Sequence, residues 1–454
     1  MLDLPDHVWS LVFSQLEYPI REATFSSECQ WSEPDTSGLT TLSRLCQTSS
    51  RFLRLARRVL YRSLPLDNWR IHKRLLSTLH QHSYLTEYVE NVVLGEGVFS
   101  RDEMASLLQP YYSKTLQQPS SKPGSLEAAL REFLDGPEWP EGGPDIWFTH
   151  CANLLPNLKL LQYATRSFDE LFPAIIRQAA EPEPKELVPL SKIVEFRISN
   201  QDTELAVRLQ YIQELFLLPQ LEIFRGCAVD LNTTLAAPGQ TPEQQPRQSN
   251  SLRHAYFTDS LAEADGICDI LRTCPSLQTF SMTWGSATVG DSYLNFDLIG
   301  KALREHGTSL EVLVLNCQEC LWYDIGETQG KLGDLQALKH LKHLSLPEAI
   351  LLGSEDELSG MDKVGDDEED EDGEDPITAD SLEPLLPESL ESLRFYSCYD
   401  EEAWVRNSIQ GVLSSERLNR LKKLQLDDAA DTGIEWDLTG WQSKKVSGHL
   451  ILSR

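Results

Sequence analysis

The 454-residue sequence lacks the long apolar run that a membrane-spanning helix needs, since no stretch approaches about 18 consecutive apolar residues. The first six residues, Met1 to Asp6, carry two carboxylates where a secretory signal peptide requires cations, so secretion is not expected. The nine cysteines are odd in number and scattered, which indicates reduced thiols in the cytoplasm or nucleus.

Catalytic motifs are also missing. The sequence contains no dinucleotide-binding glycine motif, no nucleophile elbow and no zinc-protease motif. Gly285 and Gly290 have the spacing of a phosphate-binding loop, but Asp291 stands where that loop requires lysine. Carboxylates are plentiful, and no spacing pairs two of them as an acid and a base. We therefore expect a non-enzymatic protein without a cofactor.

One set of residues has the composition of a zinc site. Cys317 and Cys320 are followed by His340 and His343, which are four ligands that zinc accepts. The two histidines are closer in sequence than is usual for zinc, and both fall around a predicted strand. We therefore interpret the four residues as structural, and expect no metal.

Positive charge is scarce in this chain. It has 40 Lys and Arg against 70 Asp and Glu, a net charge of −30, which disfavours nucleic-acid and membrane partners. Residues 362–375, within an acidic loop at 355–380, hold ten acids and one lysine. We interpret this tract as a solvating loop. The alternative is that it folds over a basic surface and competes with a partner.

The sequence is rich in one six-residue pattern: an apolar residue, two free positions, an apolar residue, one free position and a last apolar residue. From Leu158 onward, successive copies begin 25–35 residues apart, except that 49 residues separate Leu341 from Leu390, where the acidic loop is inserted. Chance recurrence of leucines is the alternative, which this spacing disfavours. The copies begin at Val89, Leu158, Ile193, Leu221, Leu252, Leu277, Leu310, Leu341, Leu390 and Leu421.

Each copy predicts a short strand, because its last two apolar positions alternate as in a half-buried strand. Segments with helical spacing lie between copies, as at 298–303. A repeated strand, loop and helix predicts an α/β solenoid with parallel inner strands. This array resembles an irregular leucine-rich repeat over roughly residues 85–430, although only Cys398 fills the family's ninth, Asn or Cys, position.

Residues 1–66 predict three helices instead. Apolar residues cover more than one side of a first helix near Pro5, a second helix contains Leu42 and Leu45, and a third follows the favourable N-cap residue Ser49. Arginines run along the third helix at positions 51, 54, 58 and 62. We interpret this stripe as a solvated face rather than a phosphate site.

This helical segment resembles an F-box. The resemblance rests on Leu4-Pro5 and the apolar residues that follow, on residues 42–52 and on the closing segment 60–66. It implies that the segment binds the Skp adaptor, and through it the cullin scaffold, of an SCF-type ubiquitin ligase. An insertion at 19–38 replaces the short turn usual in the family. The alternative is a helical cap on the solenoid. The implied adaptor contacts are Leu4, Pro5, Val8, Leu11, Val12, Leu16, Leu42 and Leu45.

The third and fifth positions of each repeated motif should point away from the core. Cations outnumber carboxylates there, which is an inversion for so acidic a chain and predicts a face for an acidic or phosphorylated client. Ordinary variation of surface residues is the alternative. The predicted client-binding residues are Arg197, Arg225, His254, Tyr256, His343, Arg394 and Lys423.

The sequence thus predicts an α/β protein with a three-helix F-box-like module at 1–66 and an irregular leucine-rich-repeat solenoid at 67–454. The function we expect is that of a non-catalytic substrate receptor, which docks on the Skp adaptor and holds a client protein on the solenoid. A leucine-rich-repeat scaffold or regulatory interaction protein, with no link to ubiquitin ligation, is the alternative.

Overall fold

The computed structural model of this chain describes residues 4–20, 36–66, 69–95, 102, 106, 144–165, 171–180, 189–200, 206–232, 248–285, 294–317, 328–352, 382–396, 403–427 and 437–454. The predicted acidic loop at 355–380 and Cys320 lie outside these residues. The chain forms two units: Met1–Val229 with Ser249–Leu252, and Asp230–Gln248 with Arg253–Arg454. Within the described ranges, no helix has the length and apolar character required to cross a membrane.

Three helices begin the first unit, where the sequence predicts them: α1 (Asp6–Ser14), α2 (Ser37–Cys46) and α3 (Ser50–Leu60). The backbone N–H of Phe52 donates to Ser49 Oγ over 3.1 Å, which makes Ser49 the N-cap of α3 as expected. The core of this helical module consists of Phe13, Leu42, Ala56 and Val59.

The start of α2 lies directly against the end of α1. A Cβ atom on Gly38 would stand 2.4 Å from the carbonyl oxygen of Leu16, so this close approach of two backbones requires glycine. Residues 21–35, the greater part of the predicted insertion at 19–38, lie outside the described residues. Leu16 and Gly38, on either side of these residues, are in contact, so α1 and α2 lie side by side.

A parallel sheet of five strands forms the rest of the first unit, in the order β1, β2, β3, β4, β6. Pairs such as Leu161 and Phe196 lie opposite each other. The elements, in chain order, are β1 (Ser63–Leu66), α4 (Trp69–Gln81), a 3₁₀ helix (Ser83–Tyr88), β2 (Asn91–Leu94), α5 (Pro144–Leu154), β3 (Leu160–Thr165), α6 (Leu171–Ala180), β4 (Glu195–Asn200), β5 (Val207–Arg208), α7 (Leu209–Ile212), a 3₁₀ helix (Gln213–Leu217), β6 (Ile223–Cys227) and β7 (Val229–Asp230).

Strand β1 occupies residues that the sequence assigns to the end of the helical module. Ser63 pairs with Asn91 and Leu66 with Leu94, so residues 61–66 are a further copy of the repeated motif, with Tyr61 in its first position. The helical module is therefore continuous with the first strand of the sheet, and residue 66 is the end of that strand.

Six parallel strands of the second unit follow the order β8, β9, β11, β13, β14, β15. The elements, in chain order, are β8 (His254–Ser260), α8 (Ala264–Thr273), β9 (Thr279–Trp284), β10 (Leu294–Asn295), α9 (Phe296–His306), β11 (Val312–Asn316), β12 (Thr328–Gln329), β13 (His343–Pro347), α10 (Ala349–Leu352), α11 (Leu382–Leu385), β14 (Ser392–Tyr396), α12 (Ala403–Ser414), β15 (Lys423–Leu426), β16 (Gln442–Val446) and β17 (His449–Ser453).

The sheet of the second unit ends in an antiparallel hairpin that the repeated motif does not predict. β17 pairs antiparallel with β15 and with β16. Ser447 and Gly448, with φ of 48° and 86°, supply the two left-handed residues of a tight hairpin turn. β16 is exposed along its whole length and carries Lys444 and Lys445, which discourage further strands from pairing with this edge.

The alternation predicted for the repeated motif is confirmed in the second unit, whereas in the first unit several third and fifth positions are buried as well, such as Ser63, Val93 and Arg197. The fourth and sixth motif positions face the core, and Leu313, Leu393 and Phe395 are all 0% exposed. The third and fifth positions are on the opposite side of each strand. They form two rows that cross successive strands, called here the outward rows, and these rows contain the predicted client-binding residues.

Candidate protein-interaction sites

The first candidate surface is the exposed side of α1. Leu11 is 66% exposed and Val12 is 44% exposed, whereas the next residue, Phe13, is 1% exposed in the module core. Leu11 is the most exposed of the large hydrophobic side chains in the part of the chain that the structure describes. Two adjacent aliphatic side chains therefore face solvent on a helix that is already anchored by Phe13.

The other predicted adaptor contacts divide by burial. Pro5 is exposed, and Leu4 and Val8 are half-buried on the same end of the module. Leu16 and Leu45 are half-buried and pack against the module core. Leu42 is 0% exposed, so its burial removes it from any surface that an adaptor could contact.

An ion-pair cluster holds the beginning of α1 to α3. Asp6 accepts from Arg51 Nε at 2.7 Å and from Arg54 Nη2 at 2.6 Å, and Arg51 Nη2 also donates to the carbonyl oxygen of Leu4 at 2.6 Å. The hydrogen bond from Arg51, assisted by both arginine charges, holds the pKa of Asp6 below its ordinary value of 3.8. These contacts bind part of the arginine stripe to the chain itself.

A second polar cluster joins the end of α1 to the first strands. Glu17 accepts from Arg62 Nη1 at 2.9 Å and from Ser63 Oγ at 2.6 Å. Asn91 Nδ2 donates to the same Ser63 Oγ at 2.9 Å. Because Ser63 and Asn91 begin β1 and β2, Glu17 fixes α1 to the sheet of the first unit. Sequence reasoning missed Glu17, which belongs to no motif.

The outward rows of the first unit bring two predicted client-binding arginines onto one carboxylate. Arg197 Nε lies 2.7 Å and Arg225 Nε 3.0 Å from Glu195 Oε1. The Arg197 side chain is only 3% exposed and that of Arg225 is 28% exposed. Glu195 therefore engages both cations, and burial removes Arg197 from the surface that a client could contact.

The outward rows of the second unit contain the remaining predicted client-binding residues. Strand register aligns His254, Thr279, Val312, His343, Ser392 and Lys423 in the third-position row. The fifth-position row consists of Tyr256, Ser281, Val314, Ser345, Arg394 and Gln425. His343 and Lys423 are exposed, and the other predicted contacts are half-buried. His254 Nδ1 lies 3.0 Å from Thr279 Oγ1.

Arg394 does not present a simple positive charge. Its Nε and Nη2 atoms donate to Asp427 Oδ2 at 2.9 and 2.6 Å, and its guanidinium lies 4.6 Å from the centre of the Tyr396 ring. Asp427 Oδ1 accepts from Gln425 Nε2 at 2.9 Å, and His449 Nδ1 lies 3.0 Å from the same oxygen. The excess of cations predicted for the outward rows is thus reduced by Glu195 and Asp427.

A row of ion pairs also follows the second motif position, which sequence reasoning missed. Lys159 Nζ lies 3.2 Å from Glu90 Oε2 in the first unit. In the second unit, Lys342 pairs with Glu311 at 2.6 Å. The hydrogen bond from Lys342, with a smaller contribution from its charge, lowers the pKa of Glu311. Such exposed pairs contribute about 0–1 kcal/mol each, so they favour strand register more than stability. The alternation of charge at this position was the signal available in the sequence.

The cysteine and histidine set does not assemble as a metal centre in the described part. Cys317 is buried, whereas His340 and His343 are exposed. Among the residues that the structure describes, no group of three or more His, Cys, Asp or Glu side chains is placed to hold a metal ion.

No family model and no curated protein matches this chain. Among solved structures, the chain is similar to the crystal structure of a TLR13–ssRNA13 complex, with 14% identity and a TM-score of 0.22. The match covers 61% of this chain and 40% of that chain, so it spans less than half of the other protein's length. A TM-score this low carries no argument. The class of the protein rests on its own geometry: a mixed α/β repeat protein with one parallel strand in each repeat.

Proposed function

We propose that this chain is a non-catalytic substrate-recognition subunit of an SCF-type ubiquitin ligase. The helical module would bind the Skp adaptor, and through it the cullin scaffold, while the leucine-rich-repeat-like sheet holds a client protein. The observation that carries the proposal is the pair of exposed aliphatic side chains on α1, at Leu11 and Val12, in a module that resembles an F-box. Exposed apolar side chains that converge on one helix are typical anchors for a partner.

The adaptor surface in this proposal is smaller than the sequence implied. Leu11, Val12 and Pro5 form its exposed part, with Leu4 and Val8 half-buried beside them. Leu42 supports the surface from inside, since it is fully buried beneath α1 and α3.

Calorimetric titration of the full chain with purified Skp adaptor tests the proposal. We expect Leu11→Asp/Val12→Asp to weaken binding by about 100-fold or more, since each change places a carboxylate in an apolar contact. Leu298→Asp is the matched control, because Leu298 on α9 is 44% exposed, the same fraction as Val12. Equal binding by both variants, or no binding by the unmodified chain at tens of micromolar, would contradict the proposal.

The alternative is a repeat scaffold or regulatory interaction protein without a ligase link, in which the helices cap the sheet. The contacts of Glu17 with Arg62 and Ser63 favour this alternative, because they anchor α1 to β1 as a cap would be anchored. The two functions share the fold of the second unit. Failure of the adaptor titration would leave the scaffold as the better assignment.

The client surface in this proposal is the outward rows of the second unit. Their exposed basic residues are His343 and Lys423, and Arg394 is shared with Asp427. Co-purification from cells tests the surface. His343→Glu/Lys423→Glu should lose client proteins and retain the adaptor, which serves as an internal control. An unchanged set of captured proteins would contradict this client surface.

A further inference from the structure

A polar cleft of about 580 Å³ lies in the second unit, apart from the outward rows. Its walls come from three turns, at residues 336–339, 387–389 and 417–420, which precede β13, β14 and β15. These strands are neighbours in the sheet, so the cleft runs across three successive repeats. Seven of its eight lining residues have a polar or charged side chain, which suits a polar ligand.

Two cations stand at opposite ends of the cleft. Lys339 belongs to the turn before β13 and Arg420 to the turn before β15, and both are exposed. Neither side chain forms a hydrogen bond or an ion pair with any other residue in the described ranges. By contrast, Lys422, two residues beyond Arg420, is paired with Glu391 at 2.7 Å. Lys339 and Arg420 are therefore available to bind an anion.

The walls of the cleft are fixed by contacts within the chain. Arg417 Nε donates to Glu383 Oε1 at 2.7 Å, and its Nη2 donates to the backbone carbonyl oxygen of the same residue. Ser389 Oγ donates to the carbonyl oxygen of Leu341 at 2.7 Å. Because Glu383 offsets the charge of Arg417, the attraction for an anion comes from the two cations at the ends. The shape of the cleft is thus set before a ligand binds.

A carboxylate separates these two cations. Glu388 is exposed in the middle turn, before β14. It repels an anion at the centre of the cleft and accepts N–H groups there. The two residues before each of the three preceding motifs are uncharged, at 250–251, 275–276 and 308–309, so this arrangement is specific to the cleft. The cleft therefore presents a positive, a negative and a second positive group in order across three repeats.

We propose that the cleft binds an acidic peptide segment of a partner protein, in which two carboxylates are three positions apart and the residues between them are uncharged. Strands in a sheet are about 4.8 Å apart, so the turns before β13 and β15 are separated by about 10 Å. A polyproline II segment has about three residues per turn and a rise of about 3.1 Å, which places residues i and i+3 on one side, about 9 Å apart. Lys339 and Arg420 then bind one carboxylate each, and Glu388 accepts backbone N–H groups between them.

Fluorescence anisotropy of the full chain with the fluorescein-labelled peptide Gly-Glu-Ala-Pro-Glu-Gly tests the proposal. At about 100 mM salt the Debye length is about 10 Å, which screens carboxylates elsewhere on this acidic chain. We expect saturable binding below about 1 mM. Lys339→Glu/Arg420→Glu should weaken it by about 10-fold or more, since two ion pairs are lost and like charges meet. Lys301→Glu/Lys444→Glu is the matched control, because it changes the net charge equally at two exposed lysines outside the cleft, and it should bind as the unmodified chain does.

A second labelled peptide of the same composition, Gly-Ala-Glu-Glu-Pro-Gly, tests the order of charges. Its adjacent carboxylates meet Glu388, so the unmodified chain should bind it about 5-fold more weakly than the first peptide, and Glu388→Gln should remove this preference. All the substituted side chains are exposed, so the variants keep the core of the second unit.

Three results would overturn the proposal: no saturable binding of the first peptide at about 1 mM, equal binding of it by the two double variants, or equal binding of the two peptides by the unmodified chain. A preference that persists in Glu388→Gln would also overturn it, because the order of charges would then not select the ligand. The Skp adaptor is absent from this experiment, so its outcome is independent of the proposed function.

Discussion

Replacement of Arg394 by methionine should destabilise the second unit more than replacement of its partner Asp427 by asparagine. The two side chains differ in burial: Asp427 is 5% exposed and Arg394 is 37% exposed. Arg394→Met leaves a buried carboxylate that keeps the hydrogen bond from Gln425 and the nearby His449 but has lost its charged partner. Asp427→Asn leaves a half-exposed guanidinium that water can solvate.

The magnitudes follow from this asymmetry. Removal of one partner of a fully buried ion pair costs about 3–5 kcal/mol, and the partial exposure of Arg394 reduces this to about 2–3 kcal/mol for Arg394→Met. For Asp427→Asn we expect about 1 kcal/mol, since the orphaned group is solvated. Arg394→Met/Asp427→Leu removes both charges and should cost no more than Arg394→Met alone.

Urea unfolding at neutral pH, followed by circular dichroism, measures these differences as shifts of the midpoint at constant slope. A larger loss for Asp427→Asn than for Arg394→Met would refute the burial argument. A double variant less stable than Arg394→Met alone would refute the assignment of the cost to the uncompensated carboxylate.

Three other changes test further parts of the structure. Gly38→Ala should destabilise the helical module by about 1–3 kcal/mol, because the new Cβ would stand 2.4 Å from the carbonyl oxygen of Leu16. Ser43→Ala is the control, since Ser43 is exposed and its replacement should cost less than about 0.5 kcal/mol. Equal urea midpoints for the two variants would contradict the predicted steric clash at Gly38. The pKa of His150 is lowered from its ordinary 6.5 to about 3, so the unfolded chain takes up a proton first as the pH falls, and stability is lost between these two values. His150→Gln should therefore show a smaller fall of the urea midpoint between about pH 7 and about pH 4, and an identical fall would contradict the burial argument. The hydrogen bond from Arg417 lowers the pKa of Glu383 below its ordinary 4.5, so its contribution is present above that pH and is lost as the pH falls through the folded-state pKa. Glu383→Gln should remove this part of the acid sensitivity, and an unchanged midpoint-against-pH curve below about pH 4.5 would refute it.

The strands of both sheets could be predicted from the sequence because their side chains have a period of two. Leu313 and Leu315 alternate with Val312 and Val314, and the structure buries the two leucines completely and the two valines only in part. The first copy of the motif, at residues 61–66, was not recognised from the sequence. There Tyr61 stands where the other copies have an aliphatic residue, so β1 was assigned to the helical module.

The charge of the outward rows could not be predicted from the motif alone. Asp427 follows the last apolar position of its copy, outside the six residues of the motif, yet it binds Arg394. Glu195 was visible within the motif, but only strand register shows that it contacts both Arg197 and Arg225. A count of charges along a row does not reveal which of them are paired in space.

The contact between His80 on α4 and His150 on α5 illustrates a second limit of sequence patterns. The two residues are 70 positions apart on different helices, and His80 in the sequence reads as a solvated helix end. The antiparallel hairpin of β16 and β17 was missed for another reason, since it carries no copy of the repeated motif. In both cases a tertiary contact determines the arrangement, and no periodic pattern in the local sequence predicts that contact.

We propose that α1 of the helical module binds the Skp adaptor and that the strands of both units take no part in this contact. Hydrogen exchange of the full chain, with and without saturating purified adaptor, tests this claim most directly. We expect slower amide exchange in α1 (Asp6–Ser14) on binding, and unchanged exchange in β9, β11 and β13. Unchanged exchange in α1, or protection that appears in the strands instead, would contradict it.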